Sequence, residues 1–166
     1  MMRRVLVAGL GMVLAACSTQ VASESAASES LAVDAKHPVS GLKVIILKVT
    51  SGERTHGFQV ELAESPEEQA RGLMFRTDLG DDEGMLFPSN PPAPRSFWMK
   101  NTPLSLDIIF IGMDGRILNI ADHTEPYSFE SVRSDGIASA VLELRAGRSA
   151  ELGIGPGDKV SWHIPQ

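Results

Sequence analysis

Short apolar runs separated by Pro and Gly are the feature that most limits what this chain can fold into. The runs are rich in β-branched residues, as in "LKVIILKV" (Leu42–Val49), or alternate apolar and polar residues, as in "FQVELA" (Phe58–Ala63). Both patterns are typical of β-strands. The same character recurs in "GMLF", "SFWMKN", "SLDIIFIG", "RILNIA", "ASAVLELRAG" and "DKVSWHI". Many short strands predict an all-β fold, either a compact β-sandwich or a barrel-like antiparallel fold.

One segment, "SPEEQARGLM", indicates a helix. Ser65 suits the N-cap, Pro66 the first helical position and Glu68 the third, which together form a capping box. Gly72 follows where a left-handed C-cap would end the helix. A helix of about two turns is too short to be stable alone, so it must dock on the predicted sheet.

The N-terminal segment, residues 1–16, reads as an export signal, because Arg3 and Arg4 precede a short apolar run. It ends in Leu14-Ala15-Ala16-Cys17, which resembles the lipobox of bacterial lipoproteins. The resemblance implies cleavage before Cys17 and lipidation of its thiol; an ordinary signal peptide with an incidental Cys is the alternative. We therefore expect a lipid-anchored protein on the periplasmic side of the cell envelope, and Ser18 favours the outer membrane.

The predicted organisation is a signal peptide, a tether and one domain. Residues 17–40 are rich in Ser, Ala and Glu and poor in large apolar residues, so they are predicted to form a flexible tether. Residues 41–166 form the predicted globular domain.

Composition excludes several classes of function. Cys17 is the single cysteine, so a lipidated chain has no free thiol for catalysis, a disulfide or a thiolate metal site. The formal net charge is −6, and loss of Arg3 and Arg4 makes it more negative. An acidic chain without a basic stripe is a poor nucleic-acid binder, so we predict membrane attachment through the lipid and no nucleic-acid partner.

The stretch "RSFWMKNTPLSLDIIF" predicts a hairpin that turns at Thr102–Ser105. Its register would place Lys100 opposite Asp107, within reach of an ion pair, with Trp98 on the same apolar face in the core. The pair is then either structural or part of a pocket on which charged residues converge.

Several segments, taken in order, resemble one known family. They are "VELAESPEEQARGLMFR", "GMLF", "FWMKNT", "LDIIFI", "VLELRAG" and "GIGPGDKV", and they span about Leu42 to Ile164. Together they are similar to the domain of unknown function 192 (DUF192) family of bacteria and archaea. The resemblance implies a compact all-β sandwich and a biochemical activity that is unassigned. The polar motif positions that carry over are Glu61, Arg71, Arg76, Lys100, Asn101, Asp107, Glu143 and Asp158.

The favoured function is a non-catalytic envelope binding module for a small polar ligand, a glycan or an envelope protein. The sequence has no nucleophile elbow of the GxSxG type and no HExxH zinc motif, whereas motif cations occur in an otherwise acidic chain. No cofactor and no metal are predicted. The candidate ligand-binding residues are Arg71, Arg76, Lys100, Asn101, Asp107 and Glu143.

Two alternatives remain open. One is a hydrolytic enzyme with Asp107 or Glu143 as general base and Lys100 or Arg76 as electrostatic stabiliser; a glycosidase pair drawn from Glu61, Asp107 and Glu143 requires the fold to bring them together. The other is copper binding by thioethers and an imidazole, although core packing explains the methionines equally well. The candidate copper ligands are Met74, Met85, Met99, His56, His123 and His163.

Overall fold

Seven strands and two short helices make up residues 35–164, the part of the chain that this computed structural model describes. The predicted all-β class is confirmed, and the structure has a second short helix that the sequence did not indicate. The elements in chain order are β1 (Val44–Ser51), β2 (Arg54–Leu62), α1 (Pro66–Arg71), β3 (Glu83–Phe97), β4 (Leu106–Gly112), β5 (Ile117–Ala121), β6 (Val132–Arg145), α2 (Arg148–Leu152) and β7 (Lys159–Trp162).

The strands form one curled sheet in the order β5-β4-β6-β3-β2-β1-β7. Every neighbouring pair is antiparallel except β2 and β3, which run parallel. Parallel neighbours need a crossover connection, and residues 63–82, including α1, provide it. This crossover places α1 beside β3, where the candidate site lies.

The two faces of the sheet carry two separate apolar clusters, because successive side chains on a strand point to opposite faces. On β6, Leu142 and Leu144 pack in the cluster that contains Leu47 and Val60. Val141 packs in the other cluster, with Phe110. Glu143 alternates with Leu142 and Leu144 and so lies on the face of Val141, within an apolar layer.

The cap predicted for α1 is confirmed. The Ser65 hydroxyl accepts a hydrogen bond from the Glu68 N–H at 3.2 Å, and the Glu68 carboxylate accepts one from the Ser65 N–H at 2.8 Å. Hydrogen bonds to the Glu68 carboxylate, the one from the Ser65 N–H first, lower the pKa of Glu68. Gly72 has φ 47° and ψ −137°, so it has a positive φ without the left-handed helical conformation.

The hairpin predicted at Thr102–Ser105 is wrong. Strand β3 ends at Phe97, and β4 lies between β5 and β6, so Asp107 faces Leu144 instead of Lys100. The local turn lies earlier, where the Thr102 N–H donates to the Met99 carbonyl at 3.1 Å and Asn101 takes φ 56°. The prediction failed because β4 pairs with β5 and with the more distant β6, and not with the end of β3.

The predictions for the signal peptide, for Cys17 and for most of the tether lie outside the described residues. Residues 35–40, which the sequence places in the tether, are hydrogen-bonded to the region where β1 begins: the Val44 N–H donates to the Ala35 carbonyl, and the His37 N–H to that of Leu42, both at 2.8 Å. Within residues 35–164, no helix is long and apolar enough to cross a bilayer.

Candidate functional site

A cleft of about 310 Å³ opens beside α1, between that helix and the end of β3. Its lining includes aromatic, cationic and acidic side chains. The aromatic ones are Phe87, Phe97 and Trp98, the cationic ones are Arg71, Arg95 and Lys100, and the acidic one is Glu143. Of the six predicted ligand-binding residues, the structure therefore brings three into one cleft: Arg71, Lys100 and Glu143.

Glu143 is the buried acid of the cleft. It is 5% exposed, and its neighbours on the adjoining strands are Met85 of β3 and Ile108 of β4. No hydrogen bond or ion pair to its carboxylate occurs within residues 35–164. Burial in these apolar surroundings raises the pKa of Glu143 from 4.5 to about 8, because a charge that lacks solvent and partners is disfavoured. Near neutral pH the group is mainly a neutral acid that can donate or accept hydrogen bonds.

Aromatic rings position two of the cations. The Arg95 guanidinium lies 5.4 Å from the centre of the Phe97 ring and donates to Gln69 Oε1 at 3.0 Å. The Lys100 ammonium lies 5.2 Å from the centre of the Trp98 ring. Partial burial lowers the pKa of Arg95, since the charged guanidinium loses solvent there. Such contacts orient a cation without neutralising its charge.

None of the three cleft cations has a carboxylate partner among the described residues. The arginines elsewhere that pair with acids include Arg76 with Glu61 at 2.5 Å and Arg148 with Asp82 at 2.8 Å. The cations of the cleft therefore keep hydrogen-bond donors for another molecule.

Asp107 has a structural role and does not line the cleft. It is fully buried, and its carboxylate accepts hydrogen bonds from the backbone N–H groups of His123 at 3.2 Å, Gly147 at 3.0 Å and Ser149 at 2.9 Å. These bonds join β4 to the loop after β5 and to the start of α2. The ion pair predicted between Asp107 and Lys100 is absent, and Asp107 is committed to backbone donors.

Arg76 and Asn101 also lie away from the walls of the cleft. Arg76 donates to the buried Glu61 and lies near His37 from the segment before β1. Asn101 has its side-chain amide 3.8 Å from the sulfur of Met74. The ligand-binding roles of these two residues stay a prediction.

Trp98 and Arg95 line the cleft but were not predicted to bind a ligand. Trp98 was assigned to the core, yet it is 48% exposed, because β3 ends just before it. Arg95 was not named as a candidate, although it opens the stretch from which the hairpin was predicted. Its alternation with Phe97 on β3 was the available signal, since residues two apart share a face.

The methionines are positioned for packing. Met85 and Met99 are buried in one apolar cluster, as predicted, and the sulfur of Met99 accepts a hydrogen bond from the Thr124 hydroxyl at 3.2 Å. Met74 lines the cleft with its sulfur next to Asn101. The described residues contain no cluster of three or more His, Cys, Asp or Glu able to hold a metal ion. This geometry favours packing over a copper site.

Glu61 and Glu143 do not form a catalytic pair. They flank Met85 in one row across β2, β3 and β6, and they line different cavities. Glu61 is held by Arg76, so the fold brings the two acids to the same face without directing them at a common point.

Comparison with known proteins gives a family and related structures. The model of the DUF192 family, described as "Uncharacterized ACR", matches residues 47–162. A protein of unknown function from Novosphingobium aromaticivorans is 49% identical, with a TM-score of 0.77, over 87% of this chain and 99% of that one. A candidate transcription regulator from Sinorhizobium meliloti is 38% identical, with a TM-score of 0.70, over 72% of this chain and 93% of that one. No curated protein matches the chain.

Proposed function

This chain belongs to the DUF192 family, and we propose that its domain is a non-catalytic binding module that holds a small organic anion in the cleft beside α1. One observation carries the proposal. Arg71, Arg95 and Lys100 converge on one cleft in an acidic chain, and none of them has a carboxylate partner within residues 35–164.

The charge of the ligand follows from the unpaired cations. Guanidinium and ammonium groups form their strongest hydrogen bonds with carboxylates and phosphates. In this chain the paired arginines serve the fold, as Arg76 does, while Arg95 is held by an amide oxygen and an aromatic ring. A ligand oxyanion would supply the missing negative charge.

The size and apolar character of the ligand follow from the remaining lining. A cleft of about 310 Å³ is at the small end of the range of small-molecule sites. Phe87 and Phe97 pack edge to face with ring centres 5.0 Å apart, which makes this wall rigid. A compact molecule with an apolar part and one anionic group matches both features.

The envelope location is part of the same proposal and is supported by the sequence alone. We propose that lipid on Cys17 anchors the protein on the periplasmic side of a bacterial membrane, where its partners would be a small ligand, a glycan or an envelope protein. Cys17→Ser would then release the full chain from the membrane fraction. A membrane fraction that retains the variant unchanged would contradict the anchor.

The binding test compares two ligands that share a ring and differ in charge. The full chain is titrated with benzoate and with benzyl alcohol, and the indole N–H signals of its two tryptophans, Trp98 and Trp162, are followed by NMR. We expect benzoate to shift the Trp98 signal and benzyl alcohol to leave it unchanged. Trp162 lies on β7 and serves as the internal control.

Matched variants locate the binding. Lys100→Met should weaken benzoate binding, whereas Lys48→Met, which removes an exposed lysine of β1, should leave it unchanged. Equal responses of the two variants, or no shift with benzoate, would contradict the proposal.

A hydrolytic function is the second candidate, and one observation favours it. Glu143 has a pKa of about 8 in a cleft that also contains Lys100, and a carboxyl group titrating near neutral pH suits general acid–base catalysis. The proposal of pure binding fails if the full chain hydrolyses an ester or a glycoside and Glu143→Gln abolishes the turnover while binding persists.

A further inference from the structure

We propose that the ligand of the cleft is a sugar acid, a hydroxylated ring that carries a carboxylate; this inference rests on the anion-binding function proposed above. Three features of the cleft carry it: an unpartnered buried acid, cations that make no ion pair with that acid, and aromatic rings in the lining.

The acid and the cations of the cleft are kept apart. Arg71, Arg95 and Lys100 make no ion pair with Glu143, and burial is the cause of its raised pKa. A small carboxylate such as acetate could neutralise a cation but would leave the Glu143 carboxyl, which is 5% exposed, without a partner in the protein or the ligand. The ligand therefore needs a second polar group at a distance from its anionic one.

The second polar group is a hydroxyl. Glu143 is buried at the cleft without a partner among the described residues, so a partner that suits both ionisation states of the carboxyl must be able to donate and to accept a hydrogen bond. A hydroxyl does both, whereas an ether oxygen only accepts and an ammonium only donates. This argument extends the ligand from a simple organic anion to a hydroxylated one.

The aromatic rings of the lining favour a cyclic ligand over an open-chain one. The C–H face of a sugar ring packs on aromatic rings, and it would cover the apolar surface of Phe97 and Trp98 in the cleft. An open-chain hydroxy acid would have to lose more conformational freedom to make the same contacts.

Trp98 marks the direction in which a longer ligand would continue. A second cavity of about 160 Å³ shares Phe97 and Trp98 with the first and is lined by Asp122, Glu125 and Glu130. These acids repel a second carboxylate. A sugar unit next to the sugar acid would therefore be neutral or carry an amino group.

Three monomeric probes separate the contributions: glucuronate has the ring hydroxyls and the carboxylate, cyclohexanecarboxylate has the carboxylate alone, and glucose has the hydroxyls alone. Each is titrated into the full chain, and the dissociation constant is obtained from the Trp98 indole signal. We expect glucuronate to bind about tenfold or more tightly than either of the others, which corresponds to about 1.4 kcal/mol.

Two variants test the assignment of contacts. Glu143→Leu should reduce the preference for glucuronate over cyclohexanecarboxylate, because an aliphatic side chain offers a ring hydroxyl neither a donor nor an acceptor. Trp98→Ala should weaken the binding of both ligands. Because this variant lacks the indole signal, its dissociation constants are measured by calorimetry. Phe75→Ala removes an exposed aromatic residue that does not line the cleft and should change neither.

The outcomes distinguish this inference from the function on which it rests. If cyclohexanecarboxylate binds as tightly as glucuronate, the sugar class is wrong and anion binding stands. If glucose binds as tightly as glucuronate, the cations do not select the ligand, and both proposals are overturned. If neither carboxylate binds, both are also overturned.

Discussion

Two buried glutamates on the same face of the sheet have opposite surroundings. Glu61 of β2 and Glu143 of β6 both lie opposite Met85 of β3, one strand away on either side. Glu61 has Arg76 at 2.5 Å and His37 at 3.6 Å, whereas Glu143 has neither a cation nor a hydrogen-bond donor within residues 35–164. The comparison separates an acid that stabilises the fold from one that is left for a ligand.

The difference arises from the segments that lie over the two glutamates. Residues before β1 and after α1 carry His37 and Arg76 to Glu61. On the other side the end of β3 and the turn at Lys100 leave the cleft above Glu143 open. The sequence of the strand that carries each glutamate does not predict which segment lies over it.

The largest expected effect on stability is at the ion pair between Arg76 and Glu61. Arg76→Met leaves Glu61 buried without its cation, and loss of one partner of a buried ion pair costs about 3–5 kcal/mol. The free energy of unfolding, from urea denaturation, should fall by this amount. Arg54→Met, at an exposed position of the same strand as Glu61, is the control and should stay within about 0.5 kcal/mol. Equal stabilities for the two variants would remove the contrast.

The unpaired Glu143 should make the stability of the fold depend on pH. Between pH 4.5 and about 8 folded Glu143 holds a proton that the unfolded chain has lost, so wild-type stability falls as pH rises, by about 1.4 kcal/mol per unit at most. The stability of Glu143→Gln should not fall for this reason, because its amide does not titrate.

Free energies of unfolding of the wild type and Glu143→Gln, from urea denaturation between pH 5 and pH 9, should therefore diverge in favour of the variant by on the order of 4 kcal/mol. The penalty is absent below pH 4.5 and complete above about pH 8. A difference that does not change with pH would place Glu143 in an ordinary solvated or paired environment.

Asp107 sharpens the comparison, because it is a buried acid satisfied by backbone donors. Asp107→Asn replaces one acceptor oxygen by an NH₂ group that faces the N–H groups of His123 and Gly147 or of Ser149. We expect a loss of about 2 kcal/mol, measured by urea denaturation. Unchanged stability would mean that these backbone groups find other partners.

The smallest effect is expected for Lys100→Met. Lys100 contacts the ring of the exposed Trp98 and has no ion pair among the described residues, so its loss should cost less than about 1 kcal/mol. Thermal unfolding measures this cost. A loss as large as that of Arg76→Met would mean that Lys100 is part of a buried pair.

The sequence predicted the elements better than their neighbours. Local chemistry is sufficient to predict the capping box at Ser65 and most strands, because each depends on a pattern of only a few consecutive residues. It is insufficient for β4, which pairs with β5 and with the distant β6, so the hairpin between Lys100 and Asp107 was wrong.

The candidate site was predicted in part for the same reason. Arg71, Lys100 and Glu143 were named, and the fold brings them together. Arg76 and Asp107 have the same residue chemistry but are engaged by Glu61 and by backbone N–H groups. Whether a charge is paired depends on contacts between segments that are distant in sequence, and no local pattern reports them.

The ionisation of Glu143 is the most direct test of the contrast between the two glutamates. Side-chain carboxyl signals of the full chain, labelled with ¹³C at glutamate, are followed by NMR as the pH is raised, and Glu143→Gln identifies the signal. The account predicts a midpoint of about 8 for Glu143. A midpoint near 4.5, the ordinary value, would show that the carboxyl is solvated or paired and would contradict the site.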